Sequence, residues 1–150
     1  MKNTFFIFTL LISITTYGGV IEFVGPCSEQ PLISKSFDIS QGQDSVGEIT
    51  LQTLFKNNIP FTGSSQGFSS ILDTPTGMGA IEVISDTEMM AYGWCYKVND
   101  FEPAEFPDQV FVRQDDRIQW WFGYAHYKAG KWITQCTPSY LRRSQQFCTN

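Results

Sequence analysis

The chain has 150 residues, with 10 Lys plus Arg against 15 Asp plus Glu, one His and four Cys. That length fits one ordinary domain, and a composition 17% charged and 15% aromatic argues against disorder, which needs many charges and few aromatics. A formal charge of −5 argues against a nucleic-acid binder or a polybasic membrane-surface module, since both draw their affinity from clustered Lys and Arg.

Met1-Lys2-Asn3-Thr4 is a short positive start, and the run from Phe5 to Ile14 is almost wholly apolar. Thr15, Thr16, Tyr17, Gly18 and Gly19 follow as mostly small residues. This pattern predicts a secretory signal peptide over residues 1–18. A membrane anchor would need about 20 apolar residues, roughly twice this run. No later stretch is long enough to span a bilayer, so no integral span is expected once the signal is removed. Removal takes Lys2 away and brings the formal charge to −6. Pro26 directly before Cys27 does not suit a lipid-attachment signal. The expected location is therefore secreted, periplasmic or at the cell surface.

In such a compartment Cys27, Cys95, Cys136 and Cys148 are expected to form two disulfides. Zinc is disfavoured, because no CxxC spacing occurs and His126 has no partner at ligand spacing. Three pairings are open. The short Cys136-to-Cys148 loop favours that bridge, which leaves Cys27 with Cys95.

Along the chain after Gly19, Leu32 to Ser40 partly alternates apolar and polar residues and reads as a first strand. Gln41 to Asp44 reads as a turn. Ser45 and Glu48 have capping-box spacing, in which each side chain satisfies a free backbone N–H at a helix start. Leu51, Leu54 and Phe55 supply an apolar face, and Asn57-Asn58 and Pro60 end a helix expected from Gly47 to Asn57. Thr62 to Gly79 is rich in Gly, Ser, Thr and Pro and reads as loop with a short strand at Phe68 to Leu72. Ala80 to Ile84 reads as a strand, Asp86-Thr87-Glu88 as a turn and Gly93 to Asn99 as the clearest strand. In it Trp94, Tyr96 and Val98 share one face. Asp100 to Asp108 reads as loop, and Val110 to Val112 and Arg117 to Phe122 as strands around Gln114-Asp115-Asp116. One amphipathic helix with five or six short strands predicts an α+β fold, a sheet with the helix on one face.

Several of these segments, taken in order, carry a resemblance. They are the helix core Thr50-Leu51-Gln52-Thr53-Leu54, a Gly-rich hairpin and Gly93-Trp94-Cys95-Tyr96-Lys97-Val98-Asn99. Val110-Phe111-Val112 and Asp115-Asp116-Arg117-Ile118-Gln119-Trp120 follow. The order resembles the family called domain of unknown function 4430, which is similar to the C-terminal domain of transcobalamin and intrinsic factor. The resemblance runs from about Phe37 to Phe122. The tail from Gly123 to Asn150, with Cys136 and Cys148, lies outside it and is expected as a disulfide-tied C-terminal extension. The resemblance implies a ubiquitin-like β-grasp: a mixed sheet of five or six strands with one helix on one face. It divides the chain into a segment 19–36 with Cys27, a β-grasp-like domain 37–122 and an extension 123–150. Asn99-Asp100 stands where the family has Asn-Gly, and Gln114-Asp115-Asp116 where it has Asp-Gly-Asp. Asp tolerates left-handed backbone angles better than most residues, so the Gln114-Asp115-Asp116 turn is expected to form.

No catalytic machinery is legible. His126 lies between Tyr124 and Tyr127 with no nucleophile and orienting acid assembled around it, and no GxSxG pattern is present. Asp115-Asp116, like Glu102 with Glu105, reads as solvated turn or loop, and no EF-hand loop occurs. No catalytic residue, metal ligand or bound cofactor is therefore expected. Binding is the stronger expectation, because 12 aromatics fall in the 41 residues from Tyr92 to Trp132, of 19 after Gly18. Trp120 and Trp121 must face opposite sides of a strand, so the tail either covers one of the two or leaves it open to a ligand. The ligand-binding candidates are Trp94, Tyr96, Trp121, Tyr124 and Trp132. Two readings follow: an exported interaction module for a protein or glycan, or, by the resemblance, a cobalamin or other corrinoid binder acting alone or with a partner chain.

Overall fold

The computed structural model describes residues 18–39 and 44–148. The expected signal peptide, except Gly18, and the expected Gln41–Asp44 turn, except Asp44, lie outside the described residues. The architecture is α+β and β-grasp-like. Its strands are β1 (Gly19–Val24), β2 (Pro31–Phe37), β3 (Phe61–Ser64), β4 (Gly67–Ile71), β5 (Ile81–Ser85), β6 (Glu88–Val98), β7 (Arg117–Lys128) and β8 (Lys131–Pro138). The helix α1 spans Val46–Lys56. Six strands form one mixed sheet in the order β2-β1-β7-β6-β5, and β8 also pairs with β7; β3 and β4 form a separate hairpin. The only α-helix among the described residues is too short to cross a membrane.

Strand β7 organises the sheet. β6 pairs antiparallel along nearly all of one edge, from Val98 opposite Ile118 to Glu88 opposite Lys128. The other edge is shared. β1 runs parallel to the first half, with Ile21 opposite Ile118 and Phe23 opposite Trp120, and β8 runs antiparallel to the second half. The expected boundaries at 36/37 and 122/123 thus fall inside β2 and β7, and both flanking segments supply strands to the sheet.

The capping box forms as read. Ser45 Oγ accepts from the Glu48 N–H at 3.2 Å and Glu48 Oε2 accepts from the Ser45 N–H at 3.1 Å. The buried face of the helix differs from the expected one. Val46, Ile49, Thr50, Thr53 and Leu54 point inward, whereas Phe55 is 68% exposed and packs edge-on against Phe61. Polar Thr50 can occupy the core because its hydroxyl is saturated. It donates to the Val46 carbonyl at 2.6 Å and accepts from the Trp120 indole N–H at 2.9 Å. Gly47 brings the β3–β4 hairpin onto the helix, since a Cβ there would collide with the Ser65 carbonyl.

One sheet face carries Ile118, Trp120, Phe122 and Tyr124 from β7 and Val98, Tyr96, Trp94 and Tyr92 from β6. It is covered in two parts. Helix α1 and the β3–β4 hairpin bury the Trp120 end with Ile21, Phe23, Leu54, Phe68 and Ile71. The tail buries the Phe122 end, where Phe147 meets Tyr92 edge-on at 4.6 Å and Phe122 at 5.4 Å.

Three expectations are corrected. The disulfides are Cys27–Cys148 and Cys95–Cys136, not Cys136–Cys148 with Cys27–Cys95. Strand geometry rather than loop length decides the pairing. The end of β8 folds over Gly123, where a Cβ would press on Thr137 and Cys136 at 3.1–3.3 Å, and this brings Cys136 above β6 and Cys95. Val110 to Val112 is not a strand. It crosses the start of α1 through a single bridge between Ser45 and Phe111, with Val46 N–H donating to Val110 O and Val112 N–H to Asp44 O. The acidic turn also forms without left-handed backbone, because Asp115 and Asp116 keep negative φ. Asp116 closes it by accepting from the Arg113 N–H at 2.7 Å and from Asn99 Nδ2. By contrast, Asn99-Asp100 takes positive φ at both residues, and Val98 and Phe101 exchange hydrogen bonds at 2.9 Å, as a type I′ hairpin requires.

Thr50→Val would leave the buried Trp120 N–H without an acceptor at nearly unchanged volume. It should destabilise the fold by about 1–3 kcal/mol in urea unfolding with an unchanged m-value. Digestion without reduction should release peptides linking Cys27 to Cys148 and Cys95 to Cys136. A Cys136–Cys148 peptide would contradict the observed strand pairing.

Candidate functional site

The two covers on the inner face do not meet. Between them lies a cleft of about 320 Å³, lined by Trp94, the Leu72–Pro75 turn, the Gly25-Pro26 corner after β1, Leu32, and Gln146-Phe147 of the tail. Its floor follows from the alternation of β6, which puts Trp94 on the same face as Phe122.

The turn that forms one wall is fixed by a single threonine. The Trp94 indole N–H donates to Thr74 Oγ1 at 2.8 Å, and Thr74 Oγ1 donates to the Ile71 carbonyl at 3.0 Å. Ser70 Oγ in turn donates to the Thr74 carbonyl at 2.6 Å. Leu72 and Asp73 both sit in left-handed backbone, with φ of 57° and 56°. A bulky Leu is rare there, and such strain persists only when its surroundings impose it. The opposite wall and the tail wall are joined covalently, because Cys27 follows Pro26, Cys148 follows Phe147, and the two cysteines are bonded. Gln146 Nε2 also donates to the Gly79 carbonyl. Three remote segments thus hold one Trp in a partly apolar cleft with its polar edge satisfied. Such a site suits a flat or apolar group.

The five sequence-predicted residues do not converge. Trp94 floors the cleft. Tyr96 shares its face but packs against Trp120 at 5.2 Å and donates its hydroxyl to the Glu105 carbonyl at 2.8 Å. Tyr124 lies on the same face beyond Phe122, with its ring 5.8 Å from Tyr92. Trp121 is on the opposite face and only 4% exposed, covered by β8, with its N–H donated to the Cys136 carbonyl at 2.8 Å. Trp132 is 49% exposed, away from the cleft, with its ring 5.2 Å from Tyr127. The wall residues Leu72, Thr74, Pro26 and Phe147 were not singled out from sequence. From sequence, Leu72 ended a short strand, Thr74 fell in the Gly-, Ser- and Pro-rich loop and Pro26 stood beside Cys27, none with a binding role.

His126 pairs with Glu88 at 2.8 Å, and Lys128 reaches the same carboxylate at 3.2 Å. These contacts, His126 first, hold the Glu88 carboxyl below its ordinary range. Among the described residues no three His, Cys, Asp or Glu gather as a metal site would need. The polar contacts of the tail are structural. Arg142 pairs with Glu82 at 2.9 Å and Tyr92 donates to Glu82 at 2.6 Å. Arg142, and after it Tyr92, lowers the Glu82 carboxyl against the effect of burial. Burial first, and then Glu82, pushes the Tyr92 hydroxyl up to about 12. Burial likewise raises Tyr96 to about 12.

No protein-family model matches this chain, and neither curated proteins nor solved structures yield a match.

The raised tyrosines make the fold sensitive to alkaline pH. A phenol whose folded pKa exceeds its unfolded value stabilises the fold fully below the unfolded value near 10, and that contribution is lost as pH rises toward 12. Melting temperature should therefore fall between pH 10 and 12, with tyrosinate absorbance appearing together with unfolding. Tyr92→Phe should remove part of that dependence. Glu82 acts oppositely: its contribution is present at neutral pH and lost as pH falls through its lowered value.

Proposed function

We propose that this chain is an exported, non-catalytic binding module whose Trp94 cleft receives a flat or apolar group of a ligand or partner. The observation that carries the reading is the cleft itself, a partly apolar recess built from three remote segments and locked by Cys27–Cys148. Concave sites with apolar walls and few polar groups are the usual small-ligand sites, and about 320 Å³ lies at the low end of their range. Two disulfides support export, since oxidising compartments preserve them. The leader pattern at residues 1–18 supports it as well.

A second reading takes the ligand to be a corrinoid. It is favoured by the resemblance to the transcobalamin C-terminal domain and by the grasp layout, in which β1 and β7 are parallel neighbours beneath one helix. In a cleft of this size a corrin ring would lie across the mouth, against Trp94 and Leu32, and a partner chain would cover its other face.

Titration of the purified oxidised protein with cobalamin and with anilinonaphthalene sulfonate tests both readings. Binding of either probe that weakens about tenfold or more in Trp94→Ala and persists in Trp132→Ala is the expected result. Change with anilinonaphthalene sulfonate alone would leave the cleft reading standing and remove the corrinoid one. Silence with both probes, or binding indifferent to Trp94→Ala and Trp94→Phe alike, would overturn the cleft reading.

A further inference from the structure

The opposite sheet face holds a second concavity, of about 360 Å³, where the β1–β2 hairpin approaches the end of β8. Its residues differ in kind from those of the Trp94 cleft. Glu22 on β1 is only 13% exposed at its side chain, and its Oε2 gathers three donors: Arg117 Nη2 at 2.7 Å, Arg117 Nε at 3.2 Å and Gln119 Nε2 at 3.0 Å. That carboxylate fixes two long side chains in place. Gln119 is left with its amide oxygen and Arg117 with Nη1, neither of which makes a hydrogen bond among the described residues. Both side chains line the concavity.

Tyr140 forms the facing wall. It sits in a 3-10 turn, Ser139–Leu141, that is anchored rather than loose, because buried Ser139 donates its hydroxyl to the Phe122 carbonyl at 2.6 Å. Tyr140 is half-buried, stacks on no other aromatic ring and makes no hydroxyl hydrogen bond among the described residues. A tyrosine ring on an anchored turn therefore lines the same basin as a fork of hydrogen-bonding groups and Trp121.

Charge selects the ligand class. The cations of this concavity are already committed: Arg117 to Glu22, and Lys97 to Asp100 at 2.9 Å. Glu29 and Glu102 on the rim add negative charge. An anion would therefore find no free cation. A purely apolar group would strand the Arg117 and Gln119 polar atoms, a loss of hydrogen bonds that buried polar groups do not tolerate cheaply. An uncharged polyhydroxyl ligand meets both conditions, stacking its C–H face on Tyr140 while its hydroxyls bond Gln119 and Arg117. The geometry points to a neutral saccharide site in this basin, on the opposite side of the sheet from the Trp94 cleft.

Titration of the oxidised protein with chitotriose, cellotriose and maltotriose, followed by amide chemical shifts, tests the assignment. Heparin-derived trisaccharide serves as the anionic counterpart. Expected are saturable shifts with at least one neutral trisaccharide, centred on Arg117, Gln119 and Tyr140. Tyr140→Ala and Gln119→Ala should each weaken that binding about tenfold, and Trp94→Ala should leave it unchanged, which separates this result from the fate of the cleft. Tyr140→Phe should retain most of the affinity, because the ring face is kept. The inference is overturned if no neutral trisaccharide binds at millimolar concentration, if only the anionic one binds, or if binding ignores both Tyr140→Ala and Gln119→Ala in variants with native disulfides.

Discussion

Three consecutive bulky residues at the centre of the middle strand, Trp120-Trp121-Phe122, set the terms for the rest of the molecule. Because strand residues alternate, Trp120 and Phe122 face one side and Trp121 the other, and all three are buried. A sheet with one wet face cannot satisfy that sequence. The chain must build cover on both sides, and on the inner side over a length that one eleven-residue helix does not span. Each cover is accordingly assigned to one of the three residues. Helix α1 takes Trp120 through Thr50, the folded-over end of β8 takes Trp121 through the Cys136 carbonyl, and Phe147 of the tail takes Phe122.

Both candidate sites are seams left by this division. The Trp94 cleft opens where the helix-and-hairpin cover stops short of the tail cover. The polar basin opens where the β1–β2 hairpin stops short of β8, because those two strands share one edge of β7 in succession and cannot be continuous. The seams differ in chemistry because the strands under them do. The inner face continues the aromatic row of β6 and β7, whereas Glu22, Lys97 and Gln119 occupy the outer face at its Arg117 end.

Local signals were legible in the sequence, and contacts between remote segments were not. The capping box, the helix, the Gly93–Asn99 alternation and the turns around it each depend on neighbours within a few residues and formed close to the expected places, although β6 starts earlier, at Glu88. β1 was missed because Gly19–Val24 follows the leader pattern directly and carries no turn signal of its own. β8 was missed because Lys131–Pro138 alternates poorly and most of it is exposed, so periodicity has little to register. Phe55 looked like core by spacing, yet Thr50 and Thr53 took inward positions, Thr50 because its hydroxyl finds partners in the helix and in Trp120. Of the candidate residues, Trp94 was recognisable as an aromatic on a strong strand. Its walls come from three segments at least 40 positions apart, which no short motif encodes.

The disulfides complete the same logic, one on each face. Among the described residues, the tail after β8 contains only a short 3-10 turn and irregular backbone, so little local hydrogen bonding keeps it closed. Loop length explains why the observed pairing suits that task. In the chain-entropy account, a bond closing 121 residues restricts the unfolded chain by about 5 kcal/mol and one closing 41 residues by about 4. The short Cys136-to-Cys148 loop would give about 3 kcal/mol on the same account. A Cys136–Cys148 bond would also have tied the tail only to β8, leaving Phe147 free to lift from Phe122 together with the strand end. Cys27–Cys148 instead ties it to the segment leaving β1, which is hydrogen-bonded on both sides. Opening the tail cover then requires either breaking that bond or disturbing the centre of the sheet, and for this reason an irregular segment can serve as a stable wall of the cleft.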